Sequence, residues 1–436
     1  MDDMGIRAMV RRRWGRDTLP TAIRGHDGQF SGAPRRRPPH VAIIVENLPL
    51  RLDRRVRHEC QALIRAGYAV SVICPKEEPG EVDEHVLDGV HVYSYRAFES
   101  TGGVLSYFWE FATCFAHTSL LTLRIHRTRP FDVLQACNPP DTYWLLGAFW
   151  RLMGRPFVFD QHDLCPEVYQ ARFRQDGLVY SALLWNERQT YRTADRVISP
   201  NPGYREVALD RGRIPPHLAT VVMSTPDPKL MKRGGQHPTL RRSRKHLICY
   251  VGIMGPQDGV DNLLVAIDCF VHHLGRRDTH FALLGFGDSA AALRDDCTSR
   301  GLDPWVTFTG RVDHEEISRW LSTADIGVTP DPPNEFNHRS TMNKTLEYMA
   351  HEVPVVAVDL RETRRCADDA AVYVSGTDRL EAAQAMSDLL DDPVRREHMG
   401  RRGRARIEGE LAWRTQAREY VQVFDALTTT GRQPSR

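Results

Sequence analysis

Short, unbroken apolar runs alternating with helical stretches are what most constrain the fold of this chain. The first, HVAIIVE at residues 40–46, lacks polar alternation, the pattern of a strand covered on both faces. Residues 54–66 then place Val56, Cys60, Leu63 and Ile64 at helical spacing, and Gly67 ends that helix before a second apolar run, AVSVICP. Strand, helix, strand in this order opens a parallel sheet, because parallel neighbours need a crossover. VHVYSY, DVLQAC, FVFDQH, DRVISP and ATVVMS continue the series, so residues 40–228 read as one doubly wound α/β domain. Residues 229–245, KLMKRGGQHPTLRRSRK, have a Gly pair, a Pro and few apolar side chains, which is linker composition. The pattern restarts with HLICYVG, HFALLGFG, WVTFTGR, DIGVTP, VPVVAV and AVYVS, with helices expected near 260–274, 314–323 and 343–350. Residues 246–410 therefore form a second domain of the same class. Residues 411–436 add a C-terminal helix, able to pack back on the first domain, and a tail. A cleft between the two sheets is the expected site, because open parallel sheets bind ligands beyond the carboxyl ends of their strands.

Composition narrows the function classes. With 436 residues, 41% of them hydrophobic, the chain has enough apolar mass for two large cores. A formal net charge of +2 argues against a nucleic-acid-binding polycation and against an acidic disordered chain. That near-balance hides two basic segments: residues 1–39 carry +5 and residues 229–245 carry +7, so the two domains together are acidic. Positive charge for an anionic ligand must then be local. Residues 1–39 are expected to be a disordered, solvated tail; contact with anionic lipid headgroups is the alternative use of their arginines. The N-terminus has no apolar core of signal-peptide length, and no stretch reaches about 18 uninterrupted apolar residues, so a cytoplasmic protein is expected. The nine cysteines are scattered without a CxxC pair. Neither a structural zinc site nor a redox dithiol is readable, and a reducing compartment fits.

The segment PDPPNEFNHRSTMNKTLEYMAHEVPVVAVDL, residues 330–360, carries the most chemistry. Ser340 or Thr341 can cap a helix starting nearby, and free backbone amides there suit a phosphate. Lys344 falls in the first turn, where the helix dipole disfavours a cation unless an anionic ligand is also present. Glu347, three residues on, shares its face and could accept from the two hydroxyls of a ribose. The competing reading is a solvated ion pair on an ordinary amphipathic helix. GFGDSA, from Gly285, fits G-x-G-x-x-A after a strand, but the next run ends in Gly310 and Arg311 without the acid that a dinucleotide's ribose requires. Residues 106–129 combine aromatics with a basic end, which suits either a buried crossover helix or a membrane interface. The sequence shows no metal-ligand constellation and no GxSxG.

NKTLEYMAHEVPVVA resembles the donor-site helix of the GT-B glycosyltransferases, particularly their large family 4, and the resemblance runs over nearly all of residues 40–425. DRRVRHECQALIRAGYAVSVICP is similar to the family's first helix and second strand, and FDQHDLCPE to the segment that bears its histidine. ADRVISPNPGYREVALDRG and VVMSTPD resemble the end of the first domain; YVGIMGPQDGVDNLL, LLGFGD and VTFTGRV resemble successive elements of the nucleotide-binding domain. The resemblance implies two Rossmann-like domains facing each other across a cleft. A nucleotide-diphosphate sugar of UDP, GDP or dTDP type would bind mainly to the second domain, and the acceptor to the first. Carried across, Glu347 would grip the ribose, while Lys344 and the amides of Ser340, Thr341, Met342 and Asn343 would contact the diphosphate. Gly252, Gly255, Gly285 and Gly287 would let the chain pass close to the donor, and main chain at Arg311 and Val312 would border the base. His162 would hydrogen-bond the transferred sugar, with Asp163 orienting its ring or starting the next turn. Asn47, Asp53 and Arg54 lie in the loop where many members place a Gly pair beside the donor sugar. They are candidates for the sugar or acceptor side, the alternative being loop residues before an Asp-capped helix.

This sequence departs from the family in its charges. Many members clamp the diphosphate with an Arg and a Lys where Ile253 and Asp258 stand here. The first carboxylate of the family's Glu-x7-Glu pair is replaced by Arg339. Lys344 and Arg339 are the nearest replacements for the lost cations. The activity implied is a retaining transfer of a sugar to a glycan or lipid-linked acceptor in cell-envelope or exopolysaccharide synthesis. No metal or other cofactor is required, no nucleic acid is involved, and the inner face of the plasma membrane is a candidate location. Two other classes stay open: a nucleotide-sugar epimerase or hydrolase of the same fold, and a donor-binding partner subunit without activity.

Overall fold

The apolar runs become the strands of two sheets in a computed structural model, which describes residues 37–430 apart from 79, 98–103 and 174–176. The basic tail, up to residue 36, therefore lies outside the described residues. The first sheet comprises β1 (His40–Ile44), β2 (Ala69–Pro75), β3 (Glu84–Leu87), β4 (Val90–Tyr95), β5 (Val133–Cys137), β6 (Phe157–Asp160), β7 (Arg196–Ser199) and β8 (Ala219–Val221). Its order is β3-β4-β2-β1-β5-β6-β7-β8, parallel throughout except for the antiparallel β3–β4 pair. Strand β3 is an addition to the sequence reading. As an edge strand it has little apolar signal, and Val86 is 60% exposed. Its turn was nevertheless legible: Asp88-Gly89 takes positive φ at both residues (50° and 85°), the two-residue hairpin geometry that Asp-Gly favours. The second sheet, β9 (His246–Ile253), β10 (Thr279–Phe286), β11 (Val306–Gly310), β12 (Ile326–Thr329), β13 (Val355–Val358) and β14 (Ala371–Val374), is all parallel in the order β11-β10-β9-β12-β13-β14.

Each sheet is covered on both faces, which is why its central strands carry no polar alternation. In β1, Val41 and Ile43 face a core built with Val56, Cys60 and Leu63 of the Arg54–Arg65 helix. Ala42 and Ile44 face the opposite core, with Leu134, Phe157 and Trp150. The Trp413–Thr430 helix follows the second domain in sequence but packs on the first, against the Arg54–Arg65 helix, β5 and β8. It buries Tyr420 and Phe424 completely, each contributing about 1.5–3 kcal/mol of apolar burial. Residues 229–245 lie along the second domain: Gly234 N donates to Ser322 Oγ (2.8 Å), His237 N donates to Thr323 Oγ1 (2.9 Å), and Arg241 pairs with Asp325. Part of the linker's positive charge is thus spent inside the protein. Met223 from the first domain joins Leu346, Met349, Ala350, Ile407 and Leu411 in an apolar cluster at the joint between the domains.

Candidate functional site

The Asn343–Ala350 helix starts after Met342, and no side chain caps it. Ser340 and Thr341 therefore do not cap this helix, contrary to the sequence reading. A short helix, Glu335–Arg339, comes first, and Ser340 closes it: its Oγ donates to Phe336 O (2.8 Å) and lies 3.2 Å from the Tyr204 hydroxyl of the first domain. The first amides of the Asn343–Ala350 helix are left without a side-chain acceptor, an arrangement suited to an anion. Lys344 does not pair with Glu347. Its side chain is 9% exposed, and Nζ donates to Asp331 Oδ1 at 2.6 Å from 5.2 Å above the Tyr250 ring. Burial opposes the ammonium charge, but Asp331 and Asp258 outweigh it and hold the lysine pKa up. Asp258, standing where many family members have Lys, is pushed up to about 6 by burial, against the pull of Lys344. The charge at Asp258 is thus the reverse of the family's, and Lys344 stands beside it.

Glu347 points the other way. Its Oε1 lies 3.0 Å from Arg54 NH1, so the first domain delivers a cation to the carboxylate assigned to the ribose. The neighbouring Asp53 is buried and caps the Arg54–Arg65 helix, its Oδ1 accepting from Val56 N at 3.0 Å. Asn47 Oδ1 is buried without a partner among the described residues. Arg339 lies 3.4 Å from Glu335, and its carbonyl would sit 2.9 Å from any Cβ added at Gly203 of the first domain. The Arg311 guanidinium lies over Phe286 at 5.0 Å, Val312 packs on the second-domain core, and Ile253 is 45% exposed. A Cβ at Gly285 would lie 1.8 Å from the Gly252 carbonyl oxygen, so only glycine lets β9 and β10 end side by side here. Gly287 likewise passes close to Met254, and Gly255 N is held by Asp258 Oδ2 at 2.9 Å.

His162 lies just beyond the end of β6. Asp160, not Asp163, orients its ring: Asp160 Oδ2 accepts from His162 Nε2 at 2.8 Å. Asn138 fixes the loop, accepting from the backbone nitrogens of His162 (2.6 Å) and Asp163 (3.1 Å). Beneath it, Arg55 donates to Asp160 Oδ1 (2.7 Å) and pairs with Glu59 (3.0 Å). Gln135 donates to both Asp160 and Glu59 at 3.1 Å. Burial works against charge on His162, but the Asp160 carboxylate outweighs it and raises the imidazole pKa. Burial likewise opposes the Asp160 charge, and Arg55 with His162 reverses that effect, holding the carboxyl well below its usual range. Glu59 is pushed up to about 8 by burial and by the proximity of Asp160. Cys137, Asp160 and His162 place ligand atoms within 4.8 Å of one another, but the Arg55 charge on the same carboxylate repels a metal cation. Glu167 takes both its bonds from Arg211, at 2.7 and 3.1 Å, and is structural.

The sequence reading missed Asp160, Arg55, Gln135, Asn138 and Asp331. Arg55 and Glu59 had a signal: charged residues four apart on the face of a helix that also carries Cys60 and Leu63 must find partners inside. The Glu59 position makes a pH prediction. An unfolded Glu59 ionises near its ordinary value, whereas the folded one keeps its proton to about 8. The native state therefore binds more protons across this window, and stability falls as pH rises from about 5 to about 8. Glu59→Gln is expected to flatten that slope, read as urea midpoints at several pH values; an unchanged slope would exclude this origin.

Comparison with known proteins covers both halves of the chain. Residues 52–224 match the family model described as a glycosyl transferase 4-like domain, and residues 245–392 match that of the glycosyl transferases group 1. A GDP-mannose-dependent monoacylated alpha-(1-6)-phosphatidylinositol monomannoside mannosyltransferase of Corynebacterium glutamicum is 27% identical over 174 residues. That match spans 39% of this chain and 45% of the relative, less than half the relative's length. Among solved structures, sucrose-phosphate synthase from Thermosynechococcus elongatus superposes with a TM-score of 0.69 at 20% identity, covering 90% of this chain and all of that one. Anabaena HepE, solved in complex with UDP-glucose, gives a TM-score of 0.64 at 15% identity, with 89% and 99% covered. Two parallel sheets in the same arrangement, each half matched by its own glycosyltransferase model, show that this chain belongs to the GT-B glycosyltransferases of the family 4 type.

Proposed function

We propose that the protein is a retaining glycosyltransferase that moves a sugar from a nucleotide-diphosphate donor to a glycan or lipid-linked acceptor during envelope or exopolysaccharide assembly. The observation that carries this reading is the meeting of Arg54 and Glu347 across the domain junction, 3.0 Å apart, at the two positions where the family's motifs approach the donor. A ribose reaching Glu347 displaces Arg54, which then stands beside the diphosphate and supplies the positive charge that Ile253 and Asp258 do not. The uncapped amides of the Asn343–Ala350 helix and Arg339 complete the anion site. Lys344 acts mainly by fixing Asp331 and the end of β9. His162, with Nε2 committed to Asp160, turns Nδ1 to a sugar hydroxyl. As the sugar–phosphate bond weakens, the leaving phosphate takes the acceptor's proton on the same face, which retains configuration without a protein nucleophile.

A lipid-linked acceptor is supported by one surface of the first domain. Helices Val104–Thr128, Trp144–Leu152 and Leu178–Thr193 leave Trp109, Leu120, Phe149, Leu152 and Trp185 exposed, among the exposed Arg127, Arg151 and Arg188. Apolar side chains among arginines suit an anionic lipid surface. No helix among the described residues is long and apolar enough to cross a membrane. The test is a screen of UDP-, GDP- and dTDP-sugars with the purified chain, following nucleotide diphosphate release with and without lipid extract. Release with one donor, enhanced by lipid, is the expected result, and failure of every donor to bind at millimolar concentration overturns the reading. Binding without turnover on a broad acceptor panel would identify the inactive partner subunit, the reading that Ile253, Asp258 and Arg339 keep open.

A further inference from the structure

Behind His162 runs a buried chain of hydrogen bonds that ends outside the elements of the site. Tyr420, on the Trp413–Thr430 helix, donates its hydroxyl to Gln135 Oε1 at 2.6 Å. Gln135 Nε2 donates to Asp160 Oδ2 at 3.1 Å, and the same oxygen accepts from His162 Nε2 at 2.8 Å. Tyr420, Gln135 and Asp160 are all fully buried. The direction of each bond follows from the chemistry. Asp160 is ionised and can only accept, so the NH2 group of Gln135 must face it, and the same group reaches Glu59. The Gln135 carbonyl oxygen must then face the helix, and the tyrosine hydroxyl must donate to it. Packing does not require that hydroxyl. Tyr420 lies 5.0 Å from Phe424, centroid to centroid, in an otherwise apolar cluster, and phenylalanine would fill the same space without a polar atom to bury.

The helix bearing Tyr420 arrives from the other domain. The preceding Pro393–Glu408 helix packs on the Asn343–Ala350 helix, which carries Glu347. After crossing, Gln416 Oε1 accepts from the backbone nitrogen of Met223 at 2.8 Å, where the first domain's own chain leaves. The two domain connections are therefore fastened together one helical turn from Tyr420.

We propose that Tyr420 is a positioning residue for His162, acting through Gln135 and Asp160, so that the domain-crossing helix holds the sugar-side histidine in one tautomer and one orientation. This rests on the role given to His162 above. The charged and titratable groups around His162 are Arg55, Glu59 and Asp53 from the Arg54–Arg65 helix, Cys137 of β5, Asp160 of β6, and Asp163. With the tyrosine hydroxyl removed, Gln135 holds the shared Asp160 oxygen less firmly, and more of that carboxylate's charge is turned on His162. The His162 titration then moves up, whereas Asp160→Asn moves it down.

The test uses the full chain, carbon-labelled at histidine, with three readouts: the NMR titration of His162, donor affinity by calorimetry, and steady-state turnover. Tyr420→Phe is expected to raise the His162 midpoint and lower kcat roughly fivefold, the worth of about one hydrogen bond, with donor KM unchanged. Gln135→Leu should give the same signs, and the double variant should lose no more than the larger single effect, because the two residues act in one chain. An unmoved His162 titration in both variants, or an equal loss of kcat and donor affinity, overturns the proposal. If no donor binds, the glycosyltransferase reading fails on its own, while the titration still decides whether Tyr420 governs His162.

Discussion

Arg55→Ala is expected to cost about 3–5 kcal/mol of stability, a large fraction of what holds a domain together. The guanidinium is 7% exposed and serves Asp160, Glu59 and the Val222 carbonyl (2.7 Å) at once. Its removal leaves the Asp160 charge and the Glu59 carboxyl in the interior of the first domain, with Gln135, His162 and the Cys137 thiol as the remaining donors. Arg55→Lys should recover little, because one ammonium cannot reach all three acceptors in the plane that the guanidinium spans. Urea denaturation followed by the first domain's fluorescence checks this; a loss under about 1 kcal/mol would mean that water or rearrangement replaces the cation.

The second large effect separates binding from chemistry. Glu347→Ala is expected to weaken nucleotide binding roughly tenfold to hundredfold, the range for hydrogen bonds to a charged acceptor. The same change frees Arg54, so the ligand-free protein should also lose part of its domain closure, visible as a larger radius of gyration in solution scattering. His162→Ala should leave nucleotide binding nearly unchanged and lower turnover about a hundredfold, because the sugar is no longer held in reacting geometry. Calorimetry with the nucleoside diphosphate and steady-state rates with the preferred donor distinguish the two variants. Small and equal effects would remove the roles assigned to both residues.

Most of the architecture was legible because its cause is local. A strand buried on both faces is largely apolar, and the central strands β1, β2, β9, β12 and β13 announced themselves in this way. The strand missed, β3, is an edge strand of alternating exposed and half-buried residues, where burial leaves little imprint on composition. Within the site, residue types were easier to find than partners. His162, Lys344 and Glu347 stood out as chemistry-bearing residues, but the expected Lys344–Glu347 face does not exist as a pair. Lys344 is drawn to Asp331, thirteen residues earlier, and Glu347 to Arg54 in the other domain. Helical spacing says which side chains can be neighbours; it cannot say which buried charge, brought by another strand, will win them.

The opening alternation of apolar runs and helices determined the two doubly wound domains, and the charge pattern showed that cations for a diphosphate had to be local. Under the proposed function, the tertiary structure decides which cations remain within reach of a donor. A buried lysine must be neutralised by the nearest acid, so Lys344 is sealed against Asp331, while Arg54, remote in sequence, becomes the cation facing Glu347. The sequence reading allowed the C-terminal helix to pack back on the first domain; that its Tyr420 meets Gln135 behind the Asp160–His162 pair is a consequence of packing between distant segments, for which the sequence carries no period or motif.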